Sequence, residues 1–210
     1  MNNNMNIHFL APENKEKWPL VWKKCFNTWT QSKYDINVWT DEGVDNLLIE
    51  DDKEFFDILN TLPPIYKFDY VRYIILERYG GAYIDMDVEL IEDFFHRLNP
   101  EKIYLIEGTR GTYVENSMMI SPKDSINQEI WKRLKIFSKN TIIQNFKECS
   151  DPLNVIWTAG PGVLSTYFIK LMDLKAPPRS YFDILAWEHF SNPNGTLNFT
   201  KHYHTSAWSD

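Results

Sequence analysis

Asp85 and Asp87 stand one residue apart where the short apolar run Ala82-Tyr83-Ile84 ends. Alternate residues of an extended chain project to the same side, so both carboxylates can face one bound cation. Ligands made of oxygen alone suit Mg²⁺ or Mn²⁺ better than zinc. A divalent ion held by one or two protein carboxylates keeps open positions, and substrate phosphates are their usual occupants. The pair therefore points to a site for a metal and a diphosphate. An Asp-x-Asp also arises by chance in acidic chains, and Asp51-Asp52 reads as an ordinary solvated turn. Residues 85 and 87 differ in context: a helix, the Gly80-Gly81 break, a short strand and then the acids. That is the order in which a strand delivers ligands to a crevice at its carboxyl end.

Asp69 and Arg72 lie three residues apart in a helical pattern, which allows two readings. One is a surface ion pair worth at most about 0.5 kcal/mol. In the other, the helix presents both groups to the crevice. Arg72 then binds diphosphate or sugar through its fork of donors, and Asp69 accepts from sugar hydroxyls. Gly160-Pro161-Gly162 reads as a helix start with proline in its first turn. Glu115-Asn116-Ser117 precedes an apolar strand, where Asn is an ordinary turn residue.

The elements that position these groups follow from periodicity. Asn6-Ile7-His8-Phe9-Leu10 reads as a strand, and Trp18, Val21, Trp22, Cys25, Phe26 and Trp29 recur at helical spacing with Pro19 in the first turn. Residues 34–39 alternate as a second strand, and Thr40-Asp41-Glu42-Gly43 is a turn signal. Strand, helix, strand is a βαβ opening. A short helix is expected over 54–60, then a long one from Pro63-Pro64 to Gly80, where glycine suits a left-handed cap. Strands are expected at 82–85, 103–106 and 117–120. Helices are expected over 125–137 and from Gly160 toward Leu171. The fold class is α/β.

At 210 residues and 25.0 kDa the chain fits a single domain, 1–210, large enough to bury a core without disulfides. Cys25 and Cys149 have no partner spacing, which argues against a disulfide framework or a cysteine zinc site and for a cytoplasmic or otherwise reducing compartment. No run approaches the roughly 18 apolar residues of a membrane span, and the first residues lack the features of a signal peptide. The net charge of −7 disfavours nucleic acid as a partner. It also means that a dianionic diphosphate needs local positive charge, which a divalent ion and one Arg can supply. With 15% aromatic residues, some rings are free to stack on sugars or a base.

The stretch from Ile65 to Glu89, with Asp69-x-x-Arg72, Tyr79, Gly80-Gly81-x-Tyr83 and Asp85-x-Asp87, resembles the sugar-binding region of DXD-motif glycosyltransferases. That family includes initiating mannosyltransferases of fungi and capsular-polysaccharide enzymes. Two departures are visible: Phe68 stands where a small Ser is usual, and Ala11-Pro12 where relatives often carry a base-stacking Trp. The resemblance implies an A-type glycosyltransferase fold, a Rossmann-like mixed sheet flanked by helices. It also implies a nucleoside diphosphate sugar donor, UDP-linked in our reading, a glycan or similar hydroxyl acceptor, and Mn²⁺ or Mg²⁺. By the same resemblance Asp87 and Asp85 serve metal and catalysis together with Arg72, and Asp69, Asp85 and Asn116 lie near the donor. Relatives end this domain with His and Ser-Trp. Here His202-Tyr203-His204-Thr205-Ser206-Ala207-Trp208 offers His204, or else His202, to complete the metal sphere, with Ser206 and Trp208 near the diphosphate. The Thr158–Gly162 stretch would lie on the acceptor side. A metal-dependent phosphohydrolase and a catalytically inactive sugar-binding module are the alternatives.

Overall fold

Apolar residues alternate along the central strands, so successive side chains supply two different cores. The computed structural model describes residues 5–108, 113–171, 182–192, 194 and 198–205. Strands β1 (Asn6–Leu10), β2 (Asp35–Trp39), β3 (Gly81–Ile84), β5 (Ile103–Glu107), β6 (Val114–Ser121) and β7 (Phe182–Leu185) form one sheet in the order β2-β1-β3-β6-β5-β7. β1 is parallel to β2 and β3, and β5 is parallel to β7; β6 runs antiparallel to both β3 and β5. The sheet is therefore mixed, and its βαβ opening is the one the sequence predicts. A separate two-stranded ribbon pairs β4 (Val88–Leu90) with β8 (Thr200–His202).

On one face Ile7, Phe9, Ala82, Ile84, Met118 and Ile120 pack with Trp29 from helix α1 (Leu20–Thr30). On the other, Tyr83, Leu105 and Met119 meet Tyr73 and Leu76 of α3 (Pro64–Tyr79) and Trp131 and Leu134 of α4 (Ser125–Gln144). The back of α3, with Val71, Ile74 and Ile75, closes a third cluster with α2 (Asp41–Leu59). Buried on several sides, α3 carries apolar or aromatic residues around most of its circumference, as a core helix must.

The Gly80-Gly81 pair turns α3 into β3. Gly80 has φ 62° and ψ −151°, a region essentially reserved for glycine, rather than the left-handed helical cap expected from sequence. Gly81 has φ 83°, and a Cβ there would lie 2.2 Å from the Asn6 carbonyl oxygen. The chain can cross this close to β1 only without a side chain.

Three expectations are corrected in and around α2. Thr40-Asp41-Glu42-Gly43 is the start of α2, with Thr40 as N-cap and two acids in the first turn. Turn residues and helix caps share the same side-chain-to-backbone chemistry, which is why the signal misleads. The expected helix over 54–60 is the second half of α2. Asp51-Asp52 is no solvated turn: Asp52 (φ −161°, ψ 94°) kinks α2 and accepts from the Phe55 amide at 3.0 Å. Both acids are tied to α4, Asp51 to Lys135 at 2.7 Å and Asp52 to Lys139. Strands β4 and β7 and the short helix Trp187–Phe190 have no counterpart in the sequence reading. Helix α4 runs one to two turns past its expected end, and the segment opened by Gly160 is α-helical over Pro161–Ser165 before a π-helical turn to Leu171. Among the described residues no helix is long and apolar enough to cross a membrane.

Candidate active site

β3 stops at Ile84, and the Asp85 amide extends the ladder by donating to the Ser117 carbonyl of β6 at 2.7 Å. The chain then turns, with the Val88 amide bonded to the Asp85 carbonyl, so Asp85 and Asp87 both enter a cleft of about 690 Å³ at the carboxyl end of β3. Trp22, Trp39, Phe68, Tyr113, Ile156 and Pro161 supply much of its apolar wall.

Arg72 and Asp69 also line this cleft, and both are buried, so the surface ion-pair reading does not apply. Arg72 Nη2 lies 2.9 Å from Asp69 Oδ1, and Nη1 lies 3.3 Å from Asp85 Oδ1. Nη1 also donates to the Asn116 carbonyl at 3.0 Å, and the guanidinium sits 4.8 Å over the Tyr83 ring. The Tyr83 hydroxyl donates to Asp85 Oδ1 at 2.6 Å. Burial raises the Asp85 carboxyl to about 6 against the pull of Arg72, with Asp87 pushing it further up. Burial likewise lifts Asp69 above its ordinary value despite Arg72. Arg72 Nε has no hydrogen-bond partner among the described residues.

The C-terminal ribbon brings the remaining groups. β8 pairs with β4 so that His202 faces Val88, and the Tyr203 amide continues the ladder to the Asp87 carbonyl at 3.0 Å. His202 Nε2 then lies 3.3 Å from Asp87 Oδ1, and Nδ1 lies 3.4 Å from Glu115 Oε2. Burial disfavours the Asp87 carboxylate, but hydrogen bonds from His202 and Thr205 outweigh that and hold it below the usual carboxylate range. For His202 burial is outweighed by Asp87 and Glu115, which raise the imidazole to about 9.

One ligand atom each of Asp85, Asp87 and His202 lies within 4.8 Å of the others; a second such grouping, Glu115, His202 and His204, shares His202. His204 is exposed, past the end of β8, with φ 48° and its ring centroid 3.7 Å from that of His202. Of the two histidines, it is thus His202 that lies against Asp87. Asn116 lines the cleft and is buried. The Thr158–Gly162 stretch abuts Asp69, since a Cβ on Gly160 would lie 2.8 Å from Asp69 Oδ2. Ser206 and Trp208 lie outside the described residues. Sequence reasoning passed over Glu115, Thr205 and Trp22, whose Nε1 donates to Thr205 Oγ1 at 3.3 Å. Their placement depends on contacts with residues remote in the chain.

The mixed sheet, with two acids at the carboxyl end of a central strand, has the architecture of an A-type glycosyltransferase fold. Residues 16–105 match the family described as "Glycosyltransferase sugar-binding region containing DXD motif", the same resemblance that the sequence carries between Ile65 and Glu89. It is similar to mannosyl phosphorylinositol ceramide synthase CSH1 of Saccharomyces cerevisiae, at 29% identity over 202 residues, covering 89% of this chain and 51% of the relative. It is also similar to inositol phosphoceramide mannosyltransferase 1 of Schizosaccharomyces pombe, at 25% identity over 199 residues, covering 92% and 59%. The chain spans about half the length of these relatives. Among solved structures the PaToxG glycosyltransferase superposes with a TM-score of 0.56 at 18% identity, covering 81% of this chain and 70% of that one, a likeness of fold.

Proposed function

We propose that this chain is the catalytic domain of a metal-dependent glycosyltransferase that moves a sugar from a nucleoside diphosphate sugar to a hydroxyl of a glycan or glycolipid headgroup. The relatives' names favour a mannosyl donor. The observation that carries the reading is the convergence of Asp85, Asp87 and His202 in the cleft that also holds Arg72. Two carboxylates and an imidazole fit a divalent ion, and the imidazole favours Mn²⁺ over Mg²⁺. Asp87 and His202 would hold it, with Asp85 bound directly or through water. When bound, such an ion stabilises negative charge on a departing diphosphate.

The chain's own residues do the rest. Arg72, pinned between Asp69 and Asp85, is preorganised to meet negative charge on the donor. Asp69 and Asn116 stand where sugar hydroxyls can be oriented, and the Trp22 and Trp39 walls exclude water. None of these roles requires a covalent nucleophile.

The test is thermal melting of the protein with UDP, GDP and their sugar conjugates, with and without Mn²⁺. A ligand at 100 times its Kd should stabilise by about 2.7 kcal/mol. Metal-dependent stabilisation by one nucleotide, lost on chelation and in Asp87→Asn, is the expected result. Cleavage of simple phosphate esters at rates comparable to those for the sugar nucleotide, with no acceptor present, would sink it.

A further inference from the structure

Glu115 has no role in the function proposed above, yet it is a buried carboxylate at the cleft wall. β6 bows away from β5 beside it: Leu105 pairs with Met119 but Ile106 pairs with Glu115, so three residues of β6 bulge out. Bulges of this kind re-aim side chains next to active sites. No Lys or Arg side chain among the described residues pairs with Glu115. Its Oε2 accepts from Ser191 Oγ at 2.8 Å and from Ser117 Oγ at 3.0 Å, and it faces His202 Nδ1 at 3.4 Å. An ionised carboxylate is costly to bury, and a hydrophobic residue would pack there at lower cost. The two serines fix its direction, and that direction is the imidazole.

An imidazole can give a metal only one lone pair, and the nitrogen that gives it is chosen by the hydrogen bond the other nitrogen makes. Asp87 Oδ1 stands on the Nε2 side and Glu115 on the Nδ1 side. We propose that Glu115 is a positioning residue: it accepts the Nδ1–H of His202 and so leaves Nε2, turned toward Asp87, as the nitrogen that ligates the divalent ion. This rests on the metal reading of the site. Any proton on Nε2 leaves for solvent when the ion enters, and the Nδ1 proton stays between His202 and Glu115. Carboxylates that orient ligating histidines typically contribute 10- to 100-fold to metal affinity.

The experiment is an Mn²⁺ titration of the full chain, with free ion read by electron paramagnetic resonance, on wild type, Glu115→Gln, His202→Ala and the double variant. Glu115→Gln should weaken binding about 10- to 100-fold. In the His202→Ala background the same change should add nothing, because Glu115 acts through that ring. Pulsed resonance should show ¹⁴N coupling from imidazole in wild type that is reduced in Glu115→Gln. Ser191→Ala leaves the charge in place but removes one of the two serine donors that hold Oε2, and should weaken binding a few-fold even if Glu115→Gln folds poorly. Equal affinity in wild type, Glu115→Gln and Ser191→Ala would overturn the proposal, as would a loss that persists without His202 or an absence of ¹⁴N coupling in wild type. If wild type binds no Mn²⁺, or Asp87→Asn binds it equally well, the metal reading itself fails instead.

Discussion

Thr205 donates both its amide N–H and its hydroxyl to Oδ2 of Asp87, at 2.7 and 2.9 Å. The second acid of the Asp-x-Asp pair is thus held from two sides, by Thr205 on Oδ2 and His202 on Oδ1. The segment after β8 is docked on the acid by backbone as well as side chain, so the cleft is complete only when the C-terminal ribbon has formed.

Thr205→Val keeps the side-chain shape and removes one of the two donors. A hydrogen bond to a carboxylate contributes about 1.5–3 kcal/mol. For a chain of this size the low end corresponds to a melting temperature lower by about 3–6 °C. Calorimetry at neutral pH measures it, and an unchanged melt would mean that the hydroxyl finds water as good a partner.

Arg72→Met should leave the buried Asp69 and the half-buried Asp85 without their cation. Breaking a buried pair in this way costs about 3–5 kcal/mol. The two carboxyls can escape by binding protons, so the deficit relative to wild type should be largest above pH 7 and shrink toward pH 5. Urea unfolding at both pH values reads the difference. Arg72→Lys retains the charge but not the planar fork, and should fold while losing at least about tenfold in kcat/KM.

His8, which does not line the cleft, gives an acid-limb prediction separate from Asp85, Asp87 and His202. Its Nδ1 accepts from Trp39 Nε1 at 3.3 Å and its Nε2 donates to the Gly80 carbonyl at 3.0 Å, a pattern that only the neutral ring can satisfy. Burial lowers it from 6.5 to about 4, with the Gly80 bond opposing. The unfolded chain therefore takes up the proton first as pH falls. The contribution to stability is complete above pH 6.5 and is lost between 6.5 and 4, amounting to about 2.5 kcal/mol at pH 4.5. His8→Gln, neutral at every pH, should lose less stability than wild type between pH 7 and 4.5. Parallel acid limbs in urea would contradict this.

Gly81→Ala would place a Cβ 2.2 Å from the Asn6 carbonyl at φ 83°. The obstacle is backbone of β1, which pairs with β3 one residue on, Ile7 against Ala82. The variant should lose at least about 2 kcal/mol, from left-handed strain and a forced separation of the two strands. Chemical denaturation provides the value, and a loss below about 0.5 kcal/mol would show that the crossing has slack.

Features encoded within one stretch of chain were legible before the fold was known. Asp85-x-Asp87 after Gly80-Gly81 identifies its strand end because period-two projection and glycine conformational freedom are local properties. The α/β class and the opening β1-α1-β2 were equally plain from apolar periodicity. Misreadings came where local chemistry is ambiguous. Thr40 to Gly43 could end a strand or cap a helix, and only the packing of Val44, Leu47 and Leu48 against α3 selects the helix. Asp51 and Asp52 looked solvated because the lysines that hold them lie on α4.

By itself the chain's order of residues determined which strand carries the acids, the class of fold and the acidic character of the site. Tertiary structure alone decided that Arg72 is shared between Asp69 and Asp85, that His202 rather than His204 lies against Asp87, and that Glu115 stands behind that ring. The physical reason is that a hydrogen-bond register between β4 and β8, and a bulge in β6, set these distances. Neither device leaves a periodic trace in the segments it brings together.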